Sequence, residues 1–439
     1  MNGYPKILIV GHNFNNTHGG GITLNNLFKG WDKNSIAAIS SLIIRDGNNI
    51  CEKFYQVGNL ENKRPFPFNF IRIKVKSGEV ILKKEIQKTG NTKENQASFI
   101  KRFYLILNKA INFFFISIGI SNLIQKWTVS DKILEWIKAY DPDILYTQLS
   151  TLSSIRFVQY IHDKLNIPVA IHIMDDWPST INKYGLFSSY WRNIIDKEFR
   201  YLINEAKILL CISEAMSEEY KKRYGKNFIP FHNPIETDKW LRYVKKDWKF
   251  TGSFKILYAG RIGTANSQSI FDIAHAIENL NLKGLLINLE IFSPDYNKKI
   301  AINIGKFKGI KVLAPVPHSK MPELLSGFDL LMLPLDFSKL GLQFSKYSMP
   351  TKTSEYMISG TPIIVYAPAE TALAKYAKSY KWAKVVTEKN LSILCDAIEE
   401  LYNDGNLRAS LGSTAVKIAL DKHDAGKVRE EFREVFCLY

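Results

Sequence analysis

The chain has 439 residues, more than one hydrophobic core usually serves, so two domains of about 200 residues each are expected. Its 46% hydrophobic and 23% charged residues are the composition of a folded globular protein and exclude a disordered one. The net charge of +17 would suit a polyanion, but no nucleic-acid recognition motif accompanies it.

The first residues lead straight into KILIVG (6–11), a strand-like run without a basic segment and long apolar stretch ahead of it; a cytoplasmic location is expected, not export. Next comes HNFNNTHGGGITLNNLFKGW, read as a loop bearing Gly19, Gly20 and Gly21 ahead of a helix. Adjacent glycines let backbone approach a ligand closely, and the start of the helix offers N–H groups to an anion. A plain flexible loop explains the same residues, which form neither G-x-G-x-x-G nor a P-loop.

Residues 61–109 hold twelve Lys or Arg against four Glu, a local +8, and AINFFFISIGI (110–120) follows. That apolar run is well short of the ~20 residues needed to cross a bilayer. The pair suits an anionic membrane surface, and equally a core helix with a solvated basic neighbour. Asp141 and Asp143 form the D-x-D that a metal-dependent transferase would use, but Pro142 between them favours a turn, and no metal is expected. Further on, VAIHIM (169–174) runs into MDDWPS, placing His172, Asp175, Asp176 and Trp177 at the end of a strand. Taken singly they read as a buried histidine and a helix-capping pair; together they read as a polar site with an apolar wall. The four cysteines, Cys51, Cys211, Cys395 and Cys437, are too scattered for a disulfide framework or a zinc site and suit a reducing compartment.

Apolar runs alternate with helical patterns through IAAISSLII (36–44), DILYTQ (143–148), VAIHIM and ILLCIS (208–213), the pattern of a parallel sheet covered on both faces. The pattern restarts after a polar stretch at 233–253, with FKILYAG (254–260), LINLEIFS (286–293), IKVLAP (310–315), DLLMLPL (329–335) and TPIIVYA (361–367). KILYAG nearly repeats KILIVG, so each opens a doubly wound domain. At the end of KILYAG, Arg261 is either a surface residue or a fork of donors suited to a diphosphate. In LDFSKLGLQFSKYSMPTKTSEYMISGTP, a loop bearing Ser345 and Lys346 precedes a helix started by Pro350 and ended near Gly360. Lys352 and Glu355 share one face of that helix, where the cation can meet phosphate and the carboxylate can accept from sugar hydroxyls. An ordinary intrahelical ion pair is the competing reading.

Together these residues resemble the GT-B glycosyltransferases, and most of all the large retaining group called family 4. The resemblance runs over the glycine loop, HIMDDWP, CISEAMSEEYKKRYG, HNPIETDKW, YAGRI and, most specifically, PTKTSEYMISGTPIIV. It implies two Rossmann-like α/β domains facing across a cleft: 1–236 for the acceptor, 237–420 for the nucleotide sugar, and a final helix at 421–439 crossing back. It further implies hexosyl transfer without metal or other cofactor. The donor would be a UDP- or GDP-sugar, and the acceptor a glycan or lipid-linked molecule in bacterial cell-surface polysaccharide assembly. By resemblance Glu355 binds ribose, while Arg261, Asn266, Lys352, Lys346 and Ser345 serve the donor, with Gly20 and Gly21 approaching the diphosphate. Asp175 and His172 lie near the reacting sugar and, with Arg261 and Lys352, are the expected catalytic residues. Two positions depart from the family: Tyr347 stands where the first signature Glu is expected, and Asn266 where a Lys follows Arg261. A nucleotide-sugar 2-epimerase of the same fold, or a non-catalytic basic protein binding membrane or polyanion, are the rival readings.

Overall fold

The computed structural model describes residues 4–14, 19–41, 50–64, 75–81, 115, 121–124, 126–181 and 185–438. It divides into two compact units. The first comprises Met1–Cys211, Lys221–Ile229 and Arg433–Tyr439, and the second Ile212–Tyr220 and Pro230–Phe432.

The first unit contains β1 (Ile7–Val10), β2 (Ile36–Ser40), β3 (Lys53–Gln56), β4 (Asn62–Lys63), β5 (Gly78–Ile81), β6 (Lys126–Trp127), β7 (Ile144–Thr147), β8 (Val169–Ile173), β9 (Ile208–Cys211) and the first residue of β10 (Ile229–Pro230). Among the described residues, eight of them form one sheet in the order β10-β9-β8-β7-β1-β2-β3-β5. β1 pairs parallel with both β2 and β7, and β5 pairs antiparallel with β3. β1, β2, β7, β8 and β9 are buried at every position, because helices cover both faces and leave no wet side to alternate with. Local chemistry sets the helix ends. Thr151 and Ser154 form a reciprocal capping box, and Asn166 closes the same helix, Leu152–Leu165, in the left-handed region at φ 53°. Asp141 likewise ends a helix at φ 54°, and Asp143 accepts from the Lys6 N–H at 2.7 Å, so the D-x-D lies in the connection from that helix into β7.

The second unit holds β11 (Phe254–Ala259), β12 (Ile287–Phe292), β13 (Ile310–Leu313), β14 (Leu330–Pro334), β15 (Ile363–Tyr366) and β16 (Lys384–Val386). They form a parallel sheet in the order β13-β12-β11-β14-β15-β16, the doubly wound order 3-2-1-4-5-6. Its core joins Ile256, Tyr258, Leu289, Ile291, Leu330 and Met332 to the helices Ser267–Leu282 and Leu391–Asn403. All four cysteines are free thiols. No helix among the described residues is long and apolar enough to cross a membrane. The basic and apolar stretch at 61–120 lies largely outside the described residues.

Helix Gly405–Lys422 packs against the end of helix Lys352–Ile358 at Gly412. A Cβ there would strike the Gly360 carbonyl oxygen and, at 2.6 Å, Trp248 Nε1, two groups already hydrogen-bonded to one another at 2.9 Å. Gly412→Ala is therefore expected to destabilise the protein by about 1–3 kcal/mol, although alanine is normally the better helix former by about 1 kcal/mol. A thermal midpoint raised by this substitution would contradict the packing.

Candidate functional site

In a doubly wound sheet, ligands bind beyond the carboxyl ends of the strands where the strand order reverses. In the second unit that point lies between β11 and β14. Their ladder reaches only Ile256↔Leu330 and Leu257↔Leu331, after which the two strands separate. Parting of the strands leaves the N–H and carbonyl of Ala259 without a strand partner on that side, and a buried peptide group must find another. Both are taken by one helix, Lys352–Ile358. The Tyr356 hydroxyl accepts from Ala259 N–H at 2.7 Å, and Lys352 Nζ donates to the Ala259 carbonyl at 3.1 Å. Lys352 and Tyr356 are four apart and so share a helix face.

Three further features fix the Lys352 ammonium. It lies 3.9 Å from the centroid of the Tyr258 ring, an attractive cation–π placement. It rests against Gly260, whose φ of +150° and missing side chain make the space; a Cβ there would collide with Nζ. Burial penalises the charged form and pulls the ammonium down to about 7, with Glu355 opposing the shift.

Arg261 follows on the exposed loop that leads to helix Ser267–Leu282. Asn266 shapes this loop. Its Nδ2 donates to the Tyr258 hydroxyl at 2.5 Å and to the Arg261 carbonyl at 2.9 Å, while its Oδ1 accepts from Gly263 N–H at 2.9 Å. Those three internal bonds make Asn266 an organiser of the loop, in place of the donor contact expected of it. The start of helix Ser267–Leu282 is also occupied: Asp336, just past β14, accepts from Ser269 N–H at 2.7 Å and Gln268 N–H at 3.4 Å, and Ser267 N–H bonds Gly263. Positive charge at this switch point therefore comes from side chains more than from helix amides.

Glu355 sits one turn on from Lys352, and its Oε1 accepts from His318 Nε2 at 2.8 Å. Ser345 is not on a loop as expected: it ends the helix Lys339–Ser345, is buried, and its hydroxyl donates to the Gly341 carbonyl at 3.0 Å. That bond is the usual back-bonding of a helical serine. Lys346 lies at the end of that helix with Nζ 5.2 Å from the Tyr347 ring centroid.

In the first unit, Gly20 and Gly21 are not on a loop either; they form the first turn of the helix Gly19–Phe28. His172, on β8, is 0% exposed, and its Nδ1 is hydrogen-bonded to the Tyr146 hydroxyl at 2.7 Å. Burial drives its pKa down to about 3. A neutral imidazole enclosed in the sheet cannot touch a substrate, so the structure removes His172 from the catalytic set. The adjacent carboxylates separate in role. Asp176 is buried in a two-pronged pair with Arg223 at 2.9 and 3.2 Å, whereas Asp175 is exposed at the carboxyl end of β8.

No family model matches the chain, and no curated protein does. Solved structures do. A glycosyltransferase from Rickettsia africae ESF-5 superposes with a TM-score of 0.63 at 11% identity, covering 99% of this chain and 98% of that one. The HepE protein of Anabaena, solved with UDP and glucose, gives 0.62 at 11% identity over 99% and 100% of the two chains. Sucrose-phosphate synthase from Thermosynechococcus elongatus gives 0.60 at 11% identity over 99% of each. The chain has the GT-B fold.

Within this GT-B chain, the residues that sequence reasoning missed are Tyr258, Asp336 and His318. Tyr258 was hidden inside an apolar strand pattern, and Asp336 and His318 belong to loops whose meaning depends on where neighbouring strands end. Tyr356 was within reach, because it closes the P-x-K-x-x-E-Y run at a helical spacing from Lys352.

Proposed function

We propose that this protein transfers a sugar from a nucleotide-sugar donor to a glycan or lipid-linked acceptor, without a bound metal and with retention at the anomeric carbon. The observation that carries the reading is the Lys352 ammonium, held at the switch point of the second sheet by Ala259, Tyr258 and Gly260. A cation fixed beside an exposed Arg261 suits a diphosphate leaving group, whose charge develops as the glycosidic bond breaks. Glu355 is the proposed partner of the ribose hydroxyls. Asp175 is the proposed carboxylate on the acceptor side. A solved GT-B neighbour with UDP-glucose bound supports this class of donor. The local +8 across residues 61–109 supports an acceptor near an anionic membrane, as in cell-surface polysaccharide assembly.

Thermal unfolding with UDP-, GDP- and other nucleotide sugars is the direct test, because a ligand that binds only the folded state raises its midpoint. One donor class is expected to raise it, and added metal chelator is expected to leave that rise unchanged. No shift with any of them would reject the reading, and conversion of donor in the absence of acceptor would turn it toward epimerisation.

A further inference from the structure

His318 lies where the chain leaves β13 through APVP, and two prolines, Pro315 and Pro317, narrow its approach. Pro317 at φ −56° and ψ 142° delivers it to a single turn, His318–Lys320, that leads into helix Met321–Ser326. From there the side chain reaches across 37 residues of sequence to Glu355, Nε2 to Oε1 at 2.8 Å. The carboxylate is part-buried, 21% exposed, while the imidazole is 76% exposed. An exposed ion pair of this kind adds little to stability. Its consequence is directional: with Oε1 engaged, the carboxylate plane is set and Oε2 is the oxygen left to a ligand.

We propose that His318 is a positioning residue for the donor: it orients Glu355 so that the remaining carboxylate oxygen accepts from the ribose hydroxyls of a nucleoside diphosphate. This rests on the reading of Glu355 as the ribose partner. The charged groups around the pair are Lys352 on the helix of Glu355, Lys239 on helix Thr237–Leu241, and Lys320 and Glu323 beside His318 itself. Glu355 raises the pKa of His318 and Lys239 opposes it. The bond is therefore charge-assisted at mildly acid pH and becomes an ordinary one as the imidazole loses its proton.

The test measures binding of UDP and GDP, each against its 2′-deoxy and 3′-deoxy analogue, to the full chain and to Glu355→Gln, His318→Phe and His318→Gln. Taking the ratio of ribo to deoxy affinity cancels the diphosphate contacts, including the titration of Lys352. The wild-type protein is expected to prefer the ribonucleotide about tenfold, as a hydrogen bond to a charged group allows. Glu355→Gln and His318→Phe should both flatten that preference, and His318→Gln, which keeps an N–H donor, should restore part of it. The wild-type ratio should also shrink as pH rises through the imidazole titration, and stay level in His318→Gln. If Glu355→Gln leaves the preference unchanged, the ribose reading of Glu355 fails. If Glu355→Gln removes it while His318→Phe does not, the positioning role of His318 fails alone. Failure of the wild-type chain to bind either nucleotide overturns both.

Discussion

Replacing Lys352 by alanine is expected to lower turnover by about 10²–10³-fold with a folded protein remaining. The ammonium is the charge that helix Lys352–Ile358 carries into the gap where β11 and β14 part, and it is positioned by contacts that a substrate does not have to form. Its hydrogen bond to Ala259, the Tyr258 ring beneath it and the open face of Gly260 are all present in the protein itself. Preorganised charge of this kind acts on the leaving group without reorganisation at the moment of reaction. The fold survives because the Ala259 carbonyl keeps the Tyr356 hydroxyl as a second donor at 3.3 Å. Lys352→Arg should do little better than alanine, since a planar guanidinium is wider than the space against Gly260. Arg261→Ala should cost less, because Arg261 is exposed and its charge is screened. Steady-state kinetics and nucleotide-sugar titration on the three variants decide the matter: unaltered affinity and turnover in Lys352→Ala would end the assignment.

The sheet strands were legible because of burial. All ten runs read as strands are strands, since a parallel strand covered on both faces shows an unbroken apolar stretch. β3, β5 and β16 escaped for the opposite reason: β3 begins on the exposed Lys53, β5 carries the exposed Glu79, and two of the three positions of β16 are half-buried. Helix starts were less legible. The three glycines and Ser345 are poor or neutral helix formers, and their placement in helices follows from tertiary packing that propensity does not encode. The site was legible in its charges and illegible in its supports. Lys352, Glu355 and Arg261 announced themselves by residue type and spacing. Tyr258 and Asn266 act through a hydroxyl and an amide whose partners, Arg261 and Gly263, lie in a loop shaped only after β11 has found β14. His172 shows the converse, since a histidine at a strand end has the same sequence signature whether it faces solvent or Tyr146.

The depressed ammonium also makes nucleotide binding depend on pH, with a sign fixed by the structure. Free Lys352 titrates at about 7, whereas a lysine in an unfolded chain titrates near ~10.4. A bound diphosphate favours the charged form and raises the pKa of Lys352, so binding takes up a proton whenever the free protein has lost it. Affinity is therefore expected to be level below pH ~7 and to fall by up to tenfold per unit above it, until the pKa of the complex is reached. Folding of the ligand-free protein runs the other way. Between about 7 and ~10.4 the unfolded chain binds more protons at this site than the native one, so this residue's contribution to stability improves as pH rises. Lys352→Met, which keeps length and removes charge, should accordingly raise the thermal midpoint of the ligand-free protein at pH 6 while removing the fall of diphosphate affinity above pH ~7. Calorimetry in buffers of different ionisation enthalpy measures the proton uptake directly. Uptake near zero at pH 8, or an unchanged pH profile in Lys352→Met, would mean that the ammonium does not meet the diphosphate.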